Sequence, residues 1–274
     1  MLMRVMRWVV ATMTVLTTVA FVVVVITTAI TTDRTLPIIK VEDGILEVSV
    51  NATEEELLQG ISAYDEKDGD ISSRLLVESI SKFTEIGYCK VTYAVCDFDN
   101  HVTTATRQIH YTDYSPPTFR MTRPLVFSIY DPLNFIGTVE AEDCIDGDIS
   151  KNVIIYSPDF KERESGNFTL QASVTNSKGD TASIELPIIV DEALVDGVKI
   201  ILTDYLVYFK AGDPVPDWTT FVYEKVDSNG LESNFPLTIR TNFNKDVPGI
   251  YTVNYYGTDD GVHRGRTALI VVVE

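Results

Sequence analysis

Apolar positions follow two regimes along this chain. From Trp8 to Thr32 the sequence WVVATMTVLTTVAFVVVVITTAITT runs 25 residues without a charge. As a helix rising about 1.5 Å per residue it reaches roughly 37 Å, enough to cross a hydrocarbon core of about 30 Å. Its apolar residues fall on every face, which suits lipid better than the interior of a soluble fold. Arg4 and Arg7 precede the run and Asp33 follows it. Cationic residues stay on the cytoplasmic side, so the expected topology is N-terminus inside and body outside. A cleaved signal peptide is the rival reading. Signal cores span about 7–15 apolar residues before a small-x-small site, and Ala29-Ile30-Thr31 is a poor one.

After Asp33 the pattern changes to period two. Cys89, Val91, Tyr93 and Val95 alternate with Lys90 and Thr92; Phe168, Leu170, Ala172 and Val174 alternate with Thr169 and Gln171; Tyr251, Val253, Tyr255 and Gly257 alternate with Thr252 and Asn254. Alternation of this kind reads as a strand with one face buried. A further strand closes each segment: Thr103 to Tyr111, Thr181 to Val190, and Thr267 to Val273. One helical turn is expected at Thr53-Glu-Glu-Glu-Leu-Leu58, with Thr53 as cap and Glu56 three residues on.

These segments belong to an internal repeat. Leu46-Glu-Val-Ser-Val50 returns as Leu125-Val-Phe-Ser-Ile129 and Leu206-Val-Tyr-Phe-Lys210. Ala63-Tyr-Asp-Glu-Lys-Asp-Gly-Asp-Ile-Ser72 returns as Ala141-Glu-Asp-Cys-Ile-Asp-Gly-Asp-Ile-Ser150. Gly87, Gly166 and Gly249 open the alternating strand in each copy. Motifs recurring in fixed order at one period mark copies of a single unit. The expected fold is all-β: three tandem immunoglobulin-like β-sandwich domains after one N-terminal transmembrane helix. The expected boundaries are a cytoplasmic stretch at 1–7, the anchor at 8–32, and domains at 36–112, 113–191 and 192–274, the last divergent. Short joints, with Pro116 and Pro117 at the first, predict a semi-rigid rod.

The order D-x-x-D-G-D-I-S, then G-x-Y-x-V-x-Y-x-V-x-D, then a T-R-x-I strand resembles bacterial immunoglobulin-like repeats. Those repeats occur in surface proteins of Gram-positive bacteria and as accessory modules of exported enzymes and some insecticidal toxins. The first copy carries the match from Asp65 to Ile109, including Asp97-Phe-Asp-Asn100 and Thr106-Arg107. The second keeps Asp146-Gly-Asp-Ile-Ser150 but has Asn176 where Asp97 stands. The third keeps Gly249-Ile-Tyr-Thr-Val253 and Asp259 and lacks the DGD element. The resemblance implies a sandwich used as spacer, stalk or adhesion module, and fold alone names no substrate.

Charge narrows the partners. The chain has 40 acidic and 22 basic residues, a formal net charge of −18. Such a surface repels nucleic acid and anionic lipid. It suits a solvated exterior and it attracts cations. Asp65, Asp68 and Asp70, joined by Asp97 from a neighbouring loop, are candidate calcium ligands, as are Asp143, Asp146 and Asp148. Bunched carboxylates on a glycine-containing turn supply hard oxygen donors. The spacing is not that of an EF-hand. The competing reading, which we take as the expectation, is that these aspartates accept backbone N–H groups and hold the turns. No other cofactor is expected.

Cys89, Cys96 and Cys144 do not make a disulfide framework, being odd in number; Cys89 and Cys96 point to opposite faces of one strand. His101, His110 and His263 show no metal-binding pair, and no nucleophile–base signature is present, so the chain is not expected to be an enzyme. Trp218, Phe221 and Tyr223 are candidate ligand residues for sugar stacking, with core packing of the third copy as the favoured alternative. The functional expectation is a non-catalytic, membrane-anchored stalk, adhesion or protein-interaction module outside the cell, bound to an extracellular protein or glycan. The second reading is a cell-envelope polysaccharide binder or envelope-assembly accessory.

Overall fold

The computed structural model describes residues 2–31, 35–131, 135, 137–161, 163–192, 194 and 197–274. Thr32, at the end of the expected anchor, and Ala193, Val195 and Asp196 of the second joint lie outside the described residues. The chain divides into two compact units, Met1–Thr112 and Asp113–Glu274.

The apolar run forms helix α1, Leu2–Thr31. Its window Met3–Thr28 has a mean hydropathy of 2.6 and is 0% buried, so the helix is long and apolar enough to cross a bilayer. Its many threonines do not bring free hydroxyls into that environment. Thr14 Oγ1 donates to the Val10 carbonyl at 2.8 Å, Thr17 to Met13 at 3.0 Å and Thr18 to Thr14 at 2.7 Å. Back-bonding of this kind satisfies the hydroxyl within the helix itself, as a lipid surrounding requires.

In the first unit, β1 (Ile38–Val41), β3 (Ile61–Asp65) and β4 (Gly69–Asp70) form one antiparallel sheet. The second sheet has the order β2 (Leu46–Val48), β7 (Val102–Tyr111), β6 (Tyr88–Cys96), β5 (Leu76–Ile80). The two sheets meet over Ala63, Ile71, Leu75 and Val95. Period two decided which residues go inside: Cys89, Val91 and Tyr93 are each 0% exposed and Val95 1%. Burying such side chains contributes about 1.5–3 kcal/mol each. Helix α2, Glu54–Leu57, has the expected capping box: Thr53 Oγ1 accepts from Glu56 N at 3.3 Å, and Glu56 Oε2 accepts from Thr53 N at 2.8 Å.

The second unit repeats this plan twice. β8 (Thr118–Met121), β10 (Val139–Asp143) and β11 (Gly147–Asp148) oppose the sheet β9 (Val126–Ser128), β14 (Thr181–Asp191), β13 (Gly166–Thr175), β12 (Ile154–Tyr156). β15 (Lys199–Leu202) and β17 (Val222–Val226) oppose β16 (Leu206–Phe209), β20 (Arg264–Val273), β19 (Gly249–Thr258), β18 (Leu237–Thr241). In every copy an early strand pairs in parallel with the last: Leu46 with Ile109, Val126 with Ile189, Leu206 with Ile270. The chain is therefore mostly β, built of paired sheets, with one N-terminal apolar helix.

The last two copies share a core. Leu206 and Ile270 sit in one cluster with Phe119, Leu170, Leu186 and Ile188, and Tyr208 OH accepts from Phe119 N at 3.1 Å. The cause is visible in β20. Ala268 to Val273 is apolar without alternation, so both faces of that strand are buried. Gly257 answers a packing demand on the other side of the third copy. A Cβ there would lie 2.4 Å from the Phe235 ring, so the phenyl group fills the position held by Val95 and Val174 in the other copies.

Candidate functional site: the acidic turns

Asp65 ends β3 and Asp143 ends β10, and both are almost fully buried, at 1% and 3% exposure. Each turns the chain by the same device. Asp65 Oδ1 accepts from Lys67 N at 2.9 Å and Asp68 N at 3.0 Å; Asp143 Oδ1 accepts from Ile145 N at 2.9 Å and Asp146 N at 3.0 Å. Gly69 and Gly147 then adopt φ of +77° and +68°, where a side chain would be strained. Asp70 Oδ1 accepts from Ser72 N and Asp148 Oδ1 from Ser150 N, each at 2.9 Å. Hydrogen bonds from the Ser72 hydroxyl and backbone hold the Asp70 carboxyl below the usual carboxylate range, and Ser150 does the same to Asp148. The backbone-capping role expected of these aspartates is present in both copies.

The loop after the alternating strand faces this turn. In the second copy it closes a full network. Asn176 Nδ2 donates to Asp143 Oδ2 at 3.0 Å and to Tyr114 OH at 3.0 Å, and Tyr114 OH donates to Asp180 Oδ2 at 2.7 Å. Ser177 contributes its N–H and its hydroxyl to the Asp146 carboxylate, at 2.6 and 2.7 Å. Burial and the Asp180 carboxylate push the Tyr114 phenol well above its ordinary value.

In the first copy Asp97 replaces the amide and Phe98 the serine. Asp97 is 0% exposed. Its Oδ1 accepts from Asp99 N at 2.9 Å and His101 N at 2.7 Å, and its Oδ2 lies 2.6 Å from His101 Nδ1. Burial pushes the Asp97 carboxyl up, but the bonds from His101 and Asp99 outweigh it and leave the group below the ordinary value. Asp68 Oδ2 accepts from Phe98 N at 2.9 Å, and Lys67 pairs with Asp99. Asp65 Oδ2 is buried and has no hydrogen-bond partner.

The third copy has no DGD turn, yet it gathers acids where sequence reasoning expected nothing. Asp259 Oδ2 accepts from Ser228 N and Oγ at 2.9 and 2.7 Å, while its Oδ1 is buried and unpartnered. Asp260 Oδ2 lies 2.6 Å from His263 Nδ1. Backbone bonds from His263 and Val262 lower the Asp260 carboxyl to about 2. Asp259, Asp260 and His263 each present one ligand atom, all within 4.8 Å of one another. The signal in the sequence was the D-D-x-x-H spacing across a hairpin turn.

Of the other candidates, Trp218 and Phe221 are together, with ring centroids 6.1 Å apart, but they pack on the third copy's core. Trp218 meets Phe243 edge-on at 5.1 Å. Tyr223 is 72% exposed and stands outside that cluster. Cys89, Cys96 and Cys144 form no disulfide with one another, and Cys89 is buried.

No family model matches this chain. An uncharacterized 81.3 kDa protein of Acholeplasma phage L2 is 30% identical over 151 residues, a match covering 51% of this chain. The chain spans about a fifth (19%) of that protein's length. Among solved structures, the CBM51-2 and INT domains of Clostridium perfringens ZmpB are similar at 16% identity, covering 53% of this chain and 39% of theirs, with a TM-score of 0.26. The protocadherin GammaB4 extracellular domain is similar at 10% identity over 87% of this chain and 49% of its own, with a TM-score of 0.21. The lipoprotein BT2262 of Bacteroides thetaiotaomicron is similar at 11% identity over 56% and 98%, with a TM-score of 0.23.

Proposed function

We propose that this protein is a membrane-tethered, non-catalytic surface module. Helix α1 holds it in a cell membrane with the N-terminus cytoplasmic, and three tandem immunoglobulin-like domains display a contact surface outside. The observation that carries this reading is the join of a 26-residue apolar helical span, none of it buried in the fold, to an acidic β-rich body. A soluble protein has no use for so much unburied apolar surface. The acidic aspartates are consumed largely as turn supports, which fits a scaffold better than an active site. Protease treatment of intact cells expressing the full chain tests the topology. Digestion of the β-rich body with survival of a short N-terminal fragment is expected; a protected C-terminus inverts the topology and removes the proposal.

A second reading, glycan binding, is favoured by one cleft in the second unit. It has a volume of about 570 Å³; half of its lining is polar, including Asn167, Asn242, Asn254 and Arg266, and the rest is Glu185 and apolar side chains such as Leu186 and Ile250. Amides and hydroxyls both donate and accept, as sugar hydroxyls do. This cleft is proposed as a place for such a ligand beside the candidates Trp218, Phe221 and Tyr223.

A further inference from the structure

We infer that the end of the first copy at which the chain arrives from α1 rests on the lipid interface, seated there by Leu36, Ile38, Tyr64 and Phe98. The inference rests on the reading of α1 as a membrane anchor. These four side chains are largely apolar, yet the fold leaves them outside: each is 58% to 68% exposed.

They gather at one end. β1 pairs antiparallel with β3, and Ile38 at its start lies opposite Tyr64. Side chains alternate across a strand, so Ile38 and Tyr64 stand together on the outer face of that sheet, while Ala63 and Asp65 turn to the core. Leu36 precedes Ile38 by two residues. The turn after Tyr64 brings in the fourth: Asp68 Oδ2 accepts from Phe98 N at 2.9 Å, which sets the β6–β7 hairpin tip against it. The Arg74 guanidinium lies over the Phe98 ring, 4.4 Å from its centroid. Tyr64, the exposed Lys40 and the Arg74–Phe98 pair each join an apolar body to a polar tip, the combination that membrane interfaces favour.

The other copies are built differently here. In the second, Thr118 lies opposite Glu142, Arg120 pairs with Glu140 at 2.8 Å, and Ser177 stands where Phe98 does. In the third, Lys199 faces Val226 and Ile201 faces Glu224, a charge in each pair. The difference follows the distance along the chain from the anchor. α1 ends at Thr31 and Leu36 is five residues on, a reach of at most about 18 Å. The first copy is thus held nearest the bilayer, and by this end. Exposed Glu66 and Asp70 at the same turn oppose anionic lipid, so the surface that fits is a zwitterionic one.

The test is hydroxyl-radical labelling, read residue by residue, of the full chain in phosphatidylcholine nanodiscs holding one chain each. One chain per disc excludes a second copy as the cover. Tyr156 and Tyr223, of the second and third copies, are 61% and 72% exposed and serve as internal references. Tyr64 is expected to be labelled about threefold less than either. Ile38→Thr, Tyr64→Glu and Phe98→Ser together install the second copy's residues. All three sites are exposed, so the variant should fold, and labelling of Leu36 should rise about threefold over wild type. A chain that does not co-elute with the discs overturns the anchor and the inference together. A chain that co-elutes but labels Tyr64 as strongly as Tyr156 and Tyr223 overturns the inference alone and leaves the patch to a protein partner. Leu36 equally shielded in the variant also overturns it, since closeness to α1 would then explain the shielding without these side chains.

Discussion

The first and second copies build the same turn from the same aspartates and finish it in different ways. In the second, a neutral amide satisfies the Asp143 carboxylate and a serine the Asp146 carboxylate from within the chain. In the first, a second buried acid faces the turn and an oxygen of Asp65 is left bare. The backbone is nearly indifferent to this exchange. The hydrogen bonds that bend each turn agree to within 0.1 Å, since both pairs are 2.9 and 3.0 Å. What differs is the electrostatic finish, and that is set by single residues at corresponding positions. A repeat can therefore keep its shape while its copies complete the same turn with different side chains, Asn176 and Ser177 in one and Asp97 with His101 in the other.

The strongest way to break this comparison is to force the first copy's chemistry on the second. Asn176→Asp buries a carboxylate against Asp143 and Asp180 and removes the donor to Asp143 Oδ2. Burying like charges and orphaning an acceptor should destabilise the second unit by about 3 kcal/mol at neutral pH. Urea unfolding followed by hydrogen exchange in the Asp113–Glu274 unit measures it. A loss below about 0.5 kcal/mol, within the range of ordinary surface substitutions, means that the amide is incidental.

A smaller effect separates the copies by their cores. Tyr93 OH donates to the Leu57 carbonyl, and Tyr255 OH to the Trp218 carbonyl, each at 2.8 Å. Both tyrosines tie an inward strand position to a short helical turn that crosses the sandwich. The second copy has Ala172 there and braces itself through Tyr114 instead. Tyr93→Phe and Tyr255→Phe should each cost about 1 kcal/mol, the usual worth of a buried hydrogen bond whose acceptor is left unpaired. Stability equal to wild type in both variants would show that water takes over the carbonyls and that the struts do not distinguish the copies.

Much of this was legible in the residues, and the reason is periodicity. Alternation along Cys89 to Val95 and Phe168 to Val174 named the buried faces, because a strand has only two. The Thr53 and Glu56 pair named its own capping box. The shared core of the last two copies was written in Ala268 to Val273, where alternation stops, but an apolar run does not say what covers its second face. The acidic turns were readable as turns. Which acid would be left without a partner was not, because it depends on Asn176, Ser177 and Tyr114 arriving from two other segments. Tyr114 lies 62 residues from Asn176 in sequence, and no local pattern links them. The aromatic trio divides for the same reason, Trp218 and Phe221 taking the favoured core-packing role and Tyr223 standing exposed. Trp218, Phe221 and Tyr223 are neighbours in sequence, and Phe209 from a distant strand and Phe243 from a distant loop pack on Trp218.

The smallest effect is one the two copies should share, which makes it the control for the rest. Asp70 and Asp148 lie outside the buried network and are both held below the ordinary carboxylate range, first by a serine hydroxyl and then by the same serine's backbone N–H. A carboxylate depressed in the folded state binds its proton less readily there than in the unfolded chain. Its stabilisation is complete above the unfolded value of about 3.9 and is lost as pH falls through the lower, folded value. Both groups are exposed enough to be screened by solvent, so the loss should be slight and salt-sensitive. Urea midpoints between pH 5 and about 2.5 should fall a little less steeply in Asp70→Asn and in Asp148→Asn than in wild type, by equal amounts in the two variants. If the two variants diverge in metal-free buffer, the turns differ in more than the residues at 97 and 98, and the assignment of the first copy's special character to Asp97 is too narrow.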